Sequence, residues 1–311
     1  MRWLMLFFGS VLAVRAIERE VVRTFPVSGD AQLKVEIVRG IITVEERDAL
    51  EIKVTAFVDF RTEAVDKAAR LEAALNLTMT ADGPLITVRA QDPAGRGVRL
   101  EVGESAPVEL ECRITVPRTC SVELATREGP ITVGNLSGRM IVRTTQGNIF
   151  LRRIDGTIDA RTQAGDVTIS RCSGAVVAST VQGSIHVGTL GGRAELKSAN
   201  GEIEVLAARG GLDVSAESGD VIVGFPRQRS GEARVRTGYG NILATIDPAA
   251  NCVVQASSFW GKVQSTLPLT VETGGDGKSQ LTGRLNQGGP RLTLSASGGN
   301  VKIKPGEPGV D

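Results

Sequence analysis

Asp159, Glu195 and Asp213 fall at one phase of an eighteen-residue repeat, and Arg143, Arg161, Lys197 and, approximately, Arg236 fall at a neighbouring phase. Carboxylates and bases gathered on one repetitive face are the raw material of polysaccharide hydrolases and lyases. Spacing argues against that chemistry. In a parallel stack, residues one repeat apart stand about 4.8 Å from each other. Asp159 and Glu195, two repeats apart, would therefore be separated by about 9.6 Å, marginal against the roughly 5–9.5 Å of glycosidase carboxylate pairs. No insertion interrupts residues 129–219 to wall a cleft. Alternating columns of opposite charge also keep a β face soluble and in register, so the expectation is a charged face without catalysis.

Other reactive residue types are sparse. His186 is the only histidine and lies in the column Thr132, Phe150, Thr168, His186, Glu204, Ile222. No Ser, Cys or Asp partner pattern builds a triad around it. The chain has no C-x-x-C pair, so a zinc site lacks support and neither metal nor cofactor is expected. Asp166 and Asp220 follow glycines, as in calcium-binding nonapeptide solenoids, but Pro130, Asn148, Ser184 and Glu202 occupy the same phase. The ligand density for calcium is missing, and the acids read as solvated corner residues. Cys172 shares a phase with Leu136, Ile154 and Leu190 and reads as a buried thiol. Cys112 and Cys120 flank Pro117 and are open to pairing, whereas Cys252 has no evident partner. Phe150 and Ile222, with Ile141 and Val177, suggest a modest apolar stripe for a partner. The candidate interaction residues are thus Phe150, His186 and Ile222 on one face and Arg143, Arg161 and Lys197 on another.

What positions these residues is a periodic scaffold. Eleven glycines stand nine residues apart from Gly129 to Gly219. The alternate members Gly129, Gly147, Gly165, Gly183, Gly201 and Gly219 are each followed by x-[Ile/Val]-x-[Val/Ile/Leu], so the repeat is eighteen residues long. Period-two alternation of β-formers makes each half-repeat a short strand, and glycine serves the corner between them. A coil of two strands cannot bury its apolar face alone and must stack in parallel on its neighbours. The reading is an all-β parallel β-solenoid. Thr126, Thr144, Thr162, Thr180, Ser198, Thr237 and Ser258, interrupted by Ala216, form an inward hydroxyl column that satisfies corner backbone groups. Gly240-Asn-Ile242, Gly261-Lys-Val263 and Gly299-Asn-Val301 continue the coils with small insertions.

Residues 1–16 combine a basic Arg2, an apolar run from Trp3 to Val14 and small residues at the end, which predicts a cleaved signal peptide. The protein is then exported to the periplasm, the cell surface or the medium, with no transmembrane segment after cleavage. Cleavage takes Arg2 and Arg15 from 36 basic residues and nothing from 35 acidic ones, a net charge of −1 that gives nucleic acid no purchase. Aromatics are few, with Tyr239 and Phe259-Trp260 as the exceptions. Residues 17–126 form an N-terminal β region that begins the solenoid, with strands near 32–38, 41–44, 50–58, 85–90, 98–102 and 108–116. One helix over about 62–76, with Thr62 as N-cap and Val65, Ala68, Leu71 and Leu75 as its stripe, should cover an open end or flank. Regular coils run over 127–304 with a polar loop or hairpin at 273–291, and 305–311 reads as a tail.

Gly40-Ile41-Ile42-Thr43-Val44, Ile114-Thr-Val-Pro117, Thr144-Thr-Gln-Gly-Asn-Ile149 and Leu294-Ser-Ala-Ser-Gly-Gly-Asn-Val301-Lys-Ile303 together resemble the bacterial putative-adhesin family of exported β-solenoid domains, a domain-of-unknown-function family, over about residues 30–304. The resemblance implies surface or periplasmic binding of a protein or glycan and transfers no catalytic residue. The expectation is a non-enzymatic, monomeric scaffold. The alternatives are a self-assembling envelope protein, motivated by coil grammar reaching Ile303 near the C-terminus, and a polysaccharide-active enzyme.

Overall fold

The computed structural model describes residues 17–27, 29, 31–91, 108–273 and 279–306. The signal-peptide segment 1–16, the strand expected at 98–102 and residues 307–311 of the expected tail lie outside them. Two fourteen-stranded sheets form opposite walls around one core. Each regular coil adds one strand to each wall. On the first wall, Ile131, Ile149, Val167, Ile185, Ile203 and Val221 pair in parallel register, and on the second Val122, Met140, Ile158, Val176, Ala194 and Leu212 do so. All of these are buried, so the alternation in sequence is the alternation of faces.

The corners explain the glycines in two ways. Gly183 has φ +146°, and a Cβ there would stand 2.1 Å from the Gly165 carbonyl oxygen. The intervening Gly174 has no such φ, yet its Cβ would meet the Gly156 oxygen at the same 2.1 Å. One class needs both the conformation and the close approach; the other needs the approach alone. The hydroxyl column closes these corners, with Thr162, Thr180, Ser198 and Thr237 donating to the carbonyls of Gly147, Gly165, Gly183 and Gly219 at 2.9–3.1 Å.

Chain order and stacking order part company at both ends. The strands Ala31–Arg39 and Ile41–Glu46 form a coil that lies between the coil of Leu85–Ala90 and Val108–Val116 and the coil of Cys120–Glu128 and Ile131–Val133. At the other end, Arg291–Ala296 and Val301–Pro305 slide between the coil of Ala233–Tyr239 and Ile242–Ile246 and that of Cys252–Ser258 and Val263–Ser265. The coil nearest the C-terminus is therefore interior. This removes the motive for end-to-end assembly through an uncapped last coil.

Several expectations are sharpened or corrected in detail. Of the loop or hairpin expected at 273–291 the hairpin forms: the strand Gln280–Leu285 runs antiparallel to both Cys252–Ser258 and Thr270–Thr273 and extends the second wall. Leu285 is buried within this Gly- and Gln-rich run. Pro305 ends a strand and does not begin a tail. The strand Ile17–Pro26, absent from the sequence reading, adds antiparallel to Glu51–Phe60 at the edge of the first wall. Its apolar residues Ile17, Val21 and Phe25 recur every fourth position and are only half-buried, so no period-two signal announces it. A second unforeseen strand, Thr78–Asp82, forms the edge of the other wall.

The helix Val65–Leu75 links outer strands of the two walls and buries Ala68, Leu71 and Leu75, while Val65 is exposed. Its N-cap is Ala64 and carries no side-chain cap. Thr62 instead accepts the Ala64 N–H two residues ahead, a local turn before the helix.

Candidate functional site

The outer face of the second wall carries the predicted charge columns in register. Arg143, Arg161, Ser179, Lys197, Ser215 and Arg236 follow one another across coils, beside Ile141, Asp159, Val177, Glu195 and Asp213. Every acid in this row is held by a base. Arg161 and Arg143 reach Asp159 at 2.7 and 3.5 Å, Arg236 reaches Asp213 at 3.1 Å, and Lys197 pairs with Glu195 along the same strand. The Lys197 ammonium hydrogen-bonded to Glu195 lowers its carboxyl below the usual range. A general acid needs the opposite shift.

Phe150, His186 and Ile222 stand in the predicted column of the first wall, which runs Thr132, Phe150, Thr168, His186, Glu204, Ile222 in register. Ile141 and Val177 do not join them. They project from the second wall, because each nine-residue half-repeat switches walls, and the single apolar stripe is replaced by separate apolar residues on opposite faces.

The corner beside Glu202 is organised by side chains acting as acceptors. Asn148 Oδ1 accepts the Asp166 N–H, Asp166 Oδ1 accepts that of Ser184, Asp220 Oδ1 that of Asn241, and Asn241 Oδ1 that of Asn300, at 2.7–3.0 Å. Asp166 and Asp220 are thus rungs of a hydrogen-bonded ladder, beyond their reading as merely solvated corner residues.

A different corner gathers the scarce aromatics. Tyr239 is 80 %, Phe259 75 % and Trp260 79 % exposed. Tyr239 ends its strand; the Ser297 and Gly298 N–H groups bond to Thr237 and Gly238 of that coil, and the Phe259 and Trp260 N–H groups bond to Ala296 and Ser297. Three successive corners therefore carry tyrosine, glycine and the Phe-Trp pair. Gly298 lies against the tyrosine ring, since a Cβ on it would stand 3.3 Å from Tyr239 Cδ1. Phe259 and Trp260 meet edge to face at 4.9 Å. The inserted C-terminal coil thus places a glycine between the aromatic corners, whose backbones stand about 9.6 Å apart at two strand spacings. Sequence distance hides it, because residue 298 enters between residues 239 and 260.

A groove of about 790 Å³ lies at the N-terminal end of the first wall, where Glu18, Asp59 and Glu109 face each other across three strands. Arg113 stacks on Phe57 at 5.0 Å and pairs with Glu111, while Arg61 pairs with Glu109. All four cysteines are buried free thiols, and burial pushes Cys112 and Cys120 up to about 12. Such thiols are inert at neutral pH. No helix among the described residues is long and apolar enough to cross a membrane.

Among known proteins, residues 191–304 match the family described as Toastrack DUF4097. Solved structures similar to the chain include a putative adhesin from Parabacteroides merdae, 10 % identical with 93 % of this chain and 97 % of that chain covered at a TM-score of 0.40. Another is a putative adhesin from Bacteroides fragilis, 11 % identical with 92 % and 97 % covered at a TM-score of 0.35. No curated protein matches the chain. The resemblance read from the repeat thus has its counterpart in the C-terminal coils, where residues 191–304 are similar to the Toastrack DUF4097 family.

Proposed function

We propose that this protein is an exported, non-enzymatic scaffold that binds an envelope or cell-surface partner, in the manner of an adhesin. The observation that carries the reading is the exposed aromatic corner of Tyr239, Phe259 and Trp260, in a chain with a single tyrosine. Leaving three large rings in water forgoes their burial energy, and solvent-exposed Trp and Tyr are favoured at binding sites because their rings give large contact area at low entropic cost. A glycine set between aromatic corners suits a flat ring, such as a sugar face, better than a bulky chain. The non-enzymatic part rests on the charge columns, where each carboxylate is already paired.

Trp260 is the only tryptophan once residues 1–16 are gone, which makes its fluorescence a clean reporter. Residues 17–311 should be titrated with soluble cell-wall glycan fragments and, separately, with solubilised envelope proteins. The expected result is a saturable change in Trp260 emission with one of them, weakened at least tenfold by Tyr239→Ala. Absence of any response, or binding untouched by Tyr239→Ala and Phe259→Ala, would reject the aromatic corner as the site.

A further inference from the structure

We propose that His186, Glu202 and Glu204 form a binding site for one divalent transition-metal ion on the outer face of the first wall. The three side chains each bring one ligand atom, and these atoms all lie within 4.8 Å of one another. His186 and Glu204 are register partners on adjacent coils, and His186 Nδ1 is 3.3 Å from Glu204 Oε2. Glu202 lies two residues before Glu204, at the corner that leads into the strand Ile203–Ala208, and its carboxylate falls in the same cluster. Imidazole with two carboxylates is a donor set for zinc and its neighbours in the first transition row. Zinc–ligand bonds of about 2.0–2.2 Å at the tetrahedral angle need donor atoms about 3.3–3.5 Å apart. Small side-chain rotations on a rigid ladder supply the remaining approach.

Charge and hydrogen bonding single out this cluster. Asp159, Glu195 and Asp213 on the opposite wall each hold an arginine or lysine, whereas among the described residues Glu204 pairs only with His186 and Glu202 has no ion-pair partner. Glu202 also stands where the corner ladder is broken. Asp166 serves the coil before it and Asp220 the coil after it, but the Glu202 carboxylate accepts no backbone N–H there. Its side chain is one methylene longer than the aspartate and asparagine of the ladder, and its carboxylate lies within 4.8 Å of the histidine's ligand atom. Two adjacent carboxylates without a base repel each other, and a divalent cation relieves that repulsion. The face is open to solvent, so water or a donor group from a partner completes the coordination.

The test uses residues 17–311 without a histidine tag, so that the chain's sole imidazole gives one set of ring resonances. Zinc chloride is titrated in by calorimetry and followed at those resonances by NMR. The expected result is saturable one-to-one binding that shifts the His186 ring resonances. Glu202→Gln and His186→Ala should each weaken it at least tenfold, with far-UV circular dichroism unchanged, while Asp159→Asn leaves it intact. Non-saturating binding, or a Glu202→Gln protein that binds as well as wild type, would overturn the proposal. Should one variant misfold, Glu204→Gln gives the same reading from the neighbouring strand.

Discussion

The inward hydroxyls show how a single side-chain atom carries the solenoid past its weakest backbone point. At each strong corner the glycine carbonyl of one coil turns inward, and the hydroxyl fifteen or eighteen residues later donates to it. A buried carbonyl left without a partner costs about 1–3 kcal/mol, more than the bond itself contributes. Thr180→Val keeps the shape and strands the Gly165 oxygen, so it should destabilise by about 1–3 kcal/mol. Ala216 is the natural gap in the column, buried between Ser198 and Thr237 in register. Ala216→Ser restores a donor for that corner and should stabilise by about 0.5–1.5 kcal/mol. Urea midpoints of the two variants against the parent check both signs, and a neutral Thr180→Val would show that water already serves the corner.

Among elements, the nine-residue half-coil is the unit, and its glycine is its least replaceable residue. Gly183→Ala meets two obstacles at once, a φ of +146° and a carbonyl oxygen 2.1 Å from the new methyl. Neither can relax without displacing the coil beneath, so a loss of at least about 3 kcal/mol is expected. Gly29→Ala, where nothing lies within 4 Å and the backbone is ordinary, is the control and should stay within about 0.5 kcal/mol. Equal melting temperatures for the two proteins would refute the stacking account of the repeat. This same unit is what made the chain readable. Glycine spacing and period-two alternation placed the columns of Phe150, His186 and Arg161 correctly, because parallel stacking converts an eighteen-residue interval into a neighbour. It failed where pairing is antiparallel or out of order. The strands Ile17–Pro26 and Gln280–Leu285 follow no glycine phase, and the meeting of Glu202 with His186 depends on which corner side chains the ladder uses. Those contacts exist only in three dimensions.

At the scale of the whole molecule, both terminal coils are threaded inward, and this sets how the solenoid ends. An ordinary stacked repeat loses stability roughly one unit at a time when truncated, since each repeat touches only its neighbours. Here Arg291–Ala296 pairs with Ala233–Tyr239 on one side and Cys252–Ser258 on the other, and Val301–Pro305 likewise bridges Ile242–Ile246 and Val263–Ser265. The edges that remain outside are short at this end, Val263–Ser265 and Thr270–Thr273, and at the other are the five-residue Thr78–Asp82 and Ile17–Pro26, whose exposed face is largely charged. Short and charged edges resist pairing with further copies. Deleting residues 291–311 therefore removes an interior layer, not an end cap. It would expose Val235, Ile242 and Val254 of the flanking coils, all now fully buried, and leave two unpaired strand edges facing each other on each wall. The truncated chain is expected to aggregate or to lose the native melting transition of the C-terminal coils, read by light scattering and thermal circular dichroism. A soluble truncated protein that melts cooperatively within a few degrees of the parent would mean that the coil of residues 252–265 can close onto residues 233–246 directly, and would contradict the inserted order.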